Sequence, residues 1–104
     1  MATKRRYEIL LPVLDNAGEI QPAANFEAVE ERLLNFFGGF TNCGKVRGEW
    51  AHGESVHRDE LIKVSVDIDD TPWNRERMKA LKMVTQEAFK QVELYVTSYV
   101  VEVI

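Results

Sequence analysis

The run Phe36-Phe37-Gly38-Gly39-Phe40-Thr41 constrains the fold more than any other stretch of the chain. An apolar helical pattern leads into it, and two glycines then break the pattern. Glycine adopts the left-handed conformation that closes a helix without a Cβ clash, so the pair marks a helix stop. A strand opens directly after it and runs to Gly48-Glu49-Trp50. A helix-to-strand joint beside a large aromatic is a statement about architecture, and no reaction comes with it.

The elements on either side follow from periodicity. Tyr7 to Leu14 reads as a first strand, and Asp15-Asn16-Ala17-Gly18 is turn chemistry with Pro22 delimiting the loop. Asn25 is the expected helix N-cap, and Phe26, Val29, Leu33 and Phe36 or Phe37 recur at helical spacing. Glu27, Glu30 and Glu31 occupy its early turns, where the helix dipole favours negative charge. From Phe40 to Trp50 the pattern is strand-like, interrupted by Gly44 and Gly48 as expected bulges or a bend. Alternation places Thr41, Cys43, Lys45, Arg47 and Glu49 on one face, with Val46 and Trp50 on the other. Ala51 to Asp59 is polar and reads as a hairpin loop. Ile62, Val64, Val66 and Ile68 then alternate with Lys63, Ser65 and Asp67, the mark of a half-buried strand. Thr71-Pro72 starts a second helix, with Trp73, Arg77, Leu81, Val84 and Ala88 as its expected inner stripe and Phe89 beside them. Val92 to Ile104 reads as the last strand.

The order β-α-β-β-α-β predicts one α+β domain over residues 1–104 with a ferredoxin-like fold. Four strands then form an antiparallel sheet with both helices on one face. The final strand is apolar on both sides, with Leu94, Val96 and Val100 on one face and Tyr95, Thr97, Tyr99, Val101 and Val103 on the other. Helices cover only one of these, and monomers avoid large bare apolar patches. A homodimer or higher homo-oligomer is the expected remedy, formed sheet to sheet or by the last strand reaching across a partner.

Net charge is −4 and pI near 5.2, which argues against non-specific nucleic-acid binding. The basic run Lys4-Arg5-Arg6 reads as a solvated start. RNA-recognition domains share this element order but carry stacking aromatics on the open face of the third strand, where this chain has Lys63, Ser65 and Asp67. One cysteine excludes an internal disulfide and fits a reducing compartment. Ile9-Leu10-Leu11 is too short for a signal-peptide core, and no run reaches membrane-span length. The expectation is a cytoplasmic protein.

The segment Phe37-Gly38-Gly39-Phe40-Thr41, the following Gly48-x-Trp50, and Asp59-Glu60 opening an alternating strand resemble a group of small uncharacterised bacterial ferredoxin-like proteins. That group has a late glutamine-containing turn before its last strand, which Gln86 or Gln91 would supply. The resemblance covers roughly residues 33 to 100 and implies the ferredoxin-like fold without an activity. A wider resemblance to dimeric α+β barrels spans enzymes and binding proteins alike.

The densest polar cluster is Glu49, His52, Glu54, His57, Asp59 and Glu60. Imidazole and carboxylate groups can ligate a divalent metal, but His52-x4-His57 matches no metal spacing, and no metal or cofactor is assigned. Thr41, Trp50, His57 and Glu60 are the candidate ligand-binding residues, as lining of a cavity near the sheet. Cys43 lacks a cysteine–histidine signature. Asp67, Asp69 and Asp70 lack the glycine and distant glutamate of a calcium loop and read as the lead-in to a helix. Gly38-Gly39 follows a helix and opens a strand, the reverse of a phosphate loop. The leading reading is a binding or protein-interaction role without catalysis. The alternative is a small dimeric α+β-barrel enzyme acting on a small organic substrate near Trp50 and His57.

Overall fold

The computed structural model describes residues 2–104, arranged as β1 (Ala2–Pro12), α1 (Ala23–Phe37), β2 (Thr41–His52), β3 (Ser55–Ile68), α2 (Pro72–Ala88) and β4 (Tyr95–Val103). The strands form one antiparallel sheet in the order β2-β3-β1-β4. This is the expected ferredoxin-like arrangement. Tyr7, Ile9 and Leu11 of β1 and Val64, Val66 and Ile68 of β3 point to the helix side. There they meet Val29 and Leu33 of α1, Met78 and Leu81 of α2, and Phe89 and Leu94 beyond it. The aromatic edge contact between Phe26 and Phe89, 5.1 Å between centroids, closes one end of this core.

β1 begins five residues earlier than its apolar pattern suggests, because β4 is long enough to pair with it from Ala2 to Leu10. The basic run is therefore no solvated start. The β1–β3 register sets Arg6 opposite Asp67, and Lys4, Arg5 and Arg6 form ion pairs with Asp69, Asp70 and Asp67 at 2.8, 2.9 and 2.7 Å.

The N-cap of α1 is Pro22, not Asn25. The Asn25 amide instead donates to Gln21 Oε1 and to the Ala88 carbonyl, both at 3.2 Å, tying the start of α1 to the end of α2. At the other end Gly38 takes φ 83° and its N–H bonds the Leu34 carbonyl at 2.9 Å, the left-handed cap expected of the glycine pair. Thr71 caps α2 through the Asn74 N–H at 3.1 Å.

The inner stripe of α2 is rotated from the expected one. Met78, Leu81 and Thr85 are buried, whereas Trp73 is 71% exposed. Arg77 lies over the Phe36 and Phe37 rings and donates to the Phe36 carbonyl, so its long side chain occupies the stripe without entering the core. β4 starts at Tyr95, not Val92, because a turn through Lys90 (φ 55°) precedes it.

Candidate functional site

Two corrections to the β2–β3 region shape the site. Ala51 to Asp59 is not a loop: the strands pair without interruption to His52 and Ser55, and only Gly53 and Glu54 turn the chain, with Gly53 at φ 63°. Cross-strand partners hold this polar ribbon together. Trp50 stacks on His57 at 6.0 Å and 23°, and Glu49 pairs with Arg58 at 3.1 Å. Secondly, one bulge lies between Asn42 and Gly44, with Gly44 at φ 83°, while Gly48 pairs regularly with Asp59. An extra residue reverses the alternation. Thr41 pairs with Ser65 on the face away from the helices, but Lys45 pairs with Ile62 on the helix side, and Arg47 and Glu49 follow it. The expected common face of Thr41, Lys45, Arg47 and Glu49 does not exist.

β1 pairs with β3 only from Ile68 to Leu61. Beyond Leu61 one further bond, from the Val13 N–H to the Glu60 carbonyl at 3.0 Å, ties β3 to the β1 side. Past it the strand pairs with β2 alone among the described residues, so the hairpin projects by roughly 15 Å at 3.3 Å per residue. Where it leaves the sheet, a groove of about 810 Å³ opens on the helix-free face. Leu10, Pro12 and Leu61 line its floor, and Trp50 and Tyr95 its sides. Gly48 lies in the groove wall, where a Cβ would stand at ordinary van der Waals distance, 3.7 Å from Leu61 and 3.8 Å from Trp50. Asp59 and Glu93 add negative charge at the rim.

Of the candidate ligand-binding residues, the structure brings Trp50 and His57 together, with His52 6.1 Å from His57. Thr41 lies on the same face at the far end of β2, roughly 27 Å away by strand rise. Glu60 pairs with Arg47 on the opposite face of the ribbon. Among the described residues no group of three or more His, Cys, Asp and Glu side chains is placed to hold a metal ion.

Away from the groove the helix-free face is charged. Glu8 and Lys63 pair at 2.7 Å, and Arg6 meets Asp67 through two hydrogen bonds of 2.7 and 2.9 Å. Hydrogen bonding to Arg6 lowers the Asp67 pKa, and the bond to Arg5 does the same for Asp70. The bond to Glu8 raises that of Lys63. Cys43, the bulge residue, sits exposed with Sγ 3.8 Å from Ser65 Oγ. Sequence reasoning missed these pairs because their partners lie 55 to 65 residues apart and meet only through strand register.

No protein-family model matches the chain, and no curated protein matches its sequence. Its fold is similar to solved structures. One is a divalent cation tolerance protein (Cut A1) from Thermus thermophilus, with TM-score 0.62 and 8% identity over 94% of this chain and 82% of that one. Another is CutA from Synechococcus elongatus, with TM-score 0.61 and 8% identity over 95% of this chain and 77% of that one. At such identity the likeness shows the fold alone. Among the described residues no helix is long and apolar enough to cross a membrane.

Proposed function

We propose that the chain is a cytoplasmic, homo-oligomeric binding protein without catalytic activity, and that the helix-free sheet face is its contact surface. One observation carries this reading. The helix-free face of β4 carries Tyr95, Tyr99, Val101 and Val103, and neither helix covers it, which leaves Tyr95 64% and Tyr99 44% exposed. Trp50, 49% exposed, extends the same face along the hairpin. Burying aromatic surface of this kind releases about 25 cal/mol per Å², so a second copy is the economical cover. Contact over the groove would close it into a chamber for a small organic molecule, held by the stacked Trp50 and His57. The FGG-x-T and G-x-W frame suits membership of the small ferredoxin-like group named above, since its Gly38 forms the left-handed cap of α1 and its Trp50 borders the groove.

Sedimentation analysis tests the proposal. Wild-type protein at about 10 μM is expected to run as a multiple of its 12.0 kDa mass. The Tyr95→Asp/Tyr99→Asp pair is expected to run as a folded monomer, because a carboxylate buried in an apolar contact costs several kcal/mol. A wild-type monomer at that concentration, or an unchanged oligomer in the double variant, refutes the reading.

A further inference from the structure

The two edges of the sheet differ in a way that the oligomer proposal does not use. β2 is a guarded edge: it carries the Gly44 bulge and the exposed cations Lys45 and Arg47, devices that discourage strand addition. β4 carries none. From Tyr95 to Val103 it has no proline, glycine, lysine, arginine or register shift, and its one charge is Glu102. Its outer row of backbone donors and acceptors is flanked on the helix side by incompletely covered side chains, Val100 among them at 51% exposure.

Beside this edge runs a cleft of about 190 Å³ between β4 and α2. Its floor is Tyr7 and Met78, and its strand wall is Val96 to Ser98. The helix wall presents Arg75, Lys79 and Lys82, and no acidic residue lines the cleft. The three cations recur at intervals of four and three residues, which places them on one helix face about 6 and 4.5 Å apart along the axis. Alternate residues of a strand are spaced about 6.7 Å. The acids already near them do not fix these cations: Lys79 pairs with Glu76 and Lys82 with Glu93, and exposed pairs of this kind exchange partners at little cost.

We infer that the β4 edge is a docking site for an extended acidic segment of a partner protein, which adds to the sheet as a fifth strand. Its backbone pairs with β4. Side chains on its helix-facing side are Asp or Glu, meeting Arg75, Lys79 and Lys82. Those on its other side are apolar, continuing the surface of Tyr95 and Tyr99. Strand addition of this type draws affinity from the main chain and specificity from alternate side chains. The required pattern is therefore acid and apolar residues in strict alternation over five or more positions.

The test uses the full chain and a fluorescein-labelled seven-residue peptide alternating glutamate and valine, followed by anisotropy and by amide exchange. Binding with new exchange protection in β4 amides is expected. Weakening by about tenfold is expected in the Lys79→Glu/Lys82→Glu variant, whose changes lie on the helix surface. Loss of binding is expected when alternate peptide nitrogens of the probe are methylated. Equal binding by a glutamate–glycine peptide would reduce the cleft to a charge effect and overturn strand addition. So would absence of binding at 1 mM peptide, or β4 amides already protected before peptide is added, which would mark the edge as covered by another copy of the chain.

Discussion

Gln86 offers the sharpest check on how β4 is held in place. It stands in the last turn of α2, and its side chain reaches over the connection to β4. Its Nε2 donates to the Val92 carbonyl at 2.7 Å, and its Oε1 accepts from the Leu94 N–H at 3.1 Å. Leu94 is buried in the core, so its N–H has little access to water. Gln86→Ala removes both bonds. Two hydrogen bonds at about 1 kcal/mol each give about 2 kcal/mol, and the better helix propensity of alanine returns about 0.4 kcal/mol. The net loss is about 1.5 kcal/mol. With an unfolding entropy of about 2.1 cal/mol/K per residue, the 104-residue chain has about 220 cal/mol/K, so Tm should fall by about 7 °C. Calorimetric melts at one fixed protein concentration provide the assay, since association would itself move Tm. Gln86→Glu makes a second point. Its carboxylate can still accept from Leu94 but faces the Val92 carbonyl without a proton. Its loss at neutral pH should recover below about pH 4, where glutamate protonates. A fall of less than 2 °C for Gln86→Ala would show that water replaces both bonds, and that the turn is fixed by Phe89 and Leu94 packing instead.

Two further outcomes follow from single residues. Thr85 is fully buried and its hydroxyl has no partner among the described residues, so Thr85→Val, which keeps the shape, should raise Tm by about 4 °C, for about 1 kcal/mol; an unchanged or lower Tm would mean that the hydroxyl is bonded to a carbonyl of its own helix. Asp67 and Asp70 are held below the usual value of 3.8 by Arg6 and Arg5, so their contribution is complete above that value and is lost as pH falls through their folded-state values. Tm measured from pH 7 to pH 2 should therefore drop below about pH 4, and the drop should be shallower in Asp67→Asn/Asp70→Asn; an equal drop in the variant would place the acid sensitivity elsewhere.

The sequence carried the element order, the Gly38 cap, the Thr71 cap and the inward face of β3, since each depends on neighbours within a few residues. Periodicity of two and of 3.6 and the left-handed preference of glycine are local properties, and they are readable before any contact is known. The tyrosine- and valine-bearing outer face of β4 was readable for the same reason, whereas the helix side mixes Val96 and Val100 with Ser98 and Glu102. What the sequence misplaced depends on register or on competition between distant groups. Residues 51 to 59 are polar, and only pairing across the hairpin makes them a strand. A single bulge at Cys43 turned Lys45, Arg47 and Glu49 away from Thr41. The helix begins at Ala23 with Pro22 at the N-cap position and no side-chain cap, so Asn25 lies inside the first turn and its amide bonds the Ala88 carbonyl, 63 residues on. Of the four expected site residues, Trp50 and His57 meet because they face each other across one ribbon. Thr41 and Glu60 were separated by strand length and by strand face. The ion pairs of Lys4, Arg5 and Arg6, the groove beside Gly48 and the contrast between the guarded and open edges of the sheet were decided by tertiary structure alone, because charge partners, cavities and edges come into being only when distant strands settle into a register.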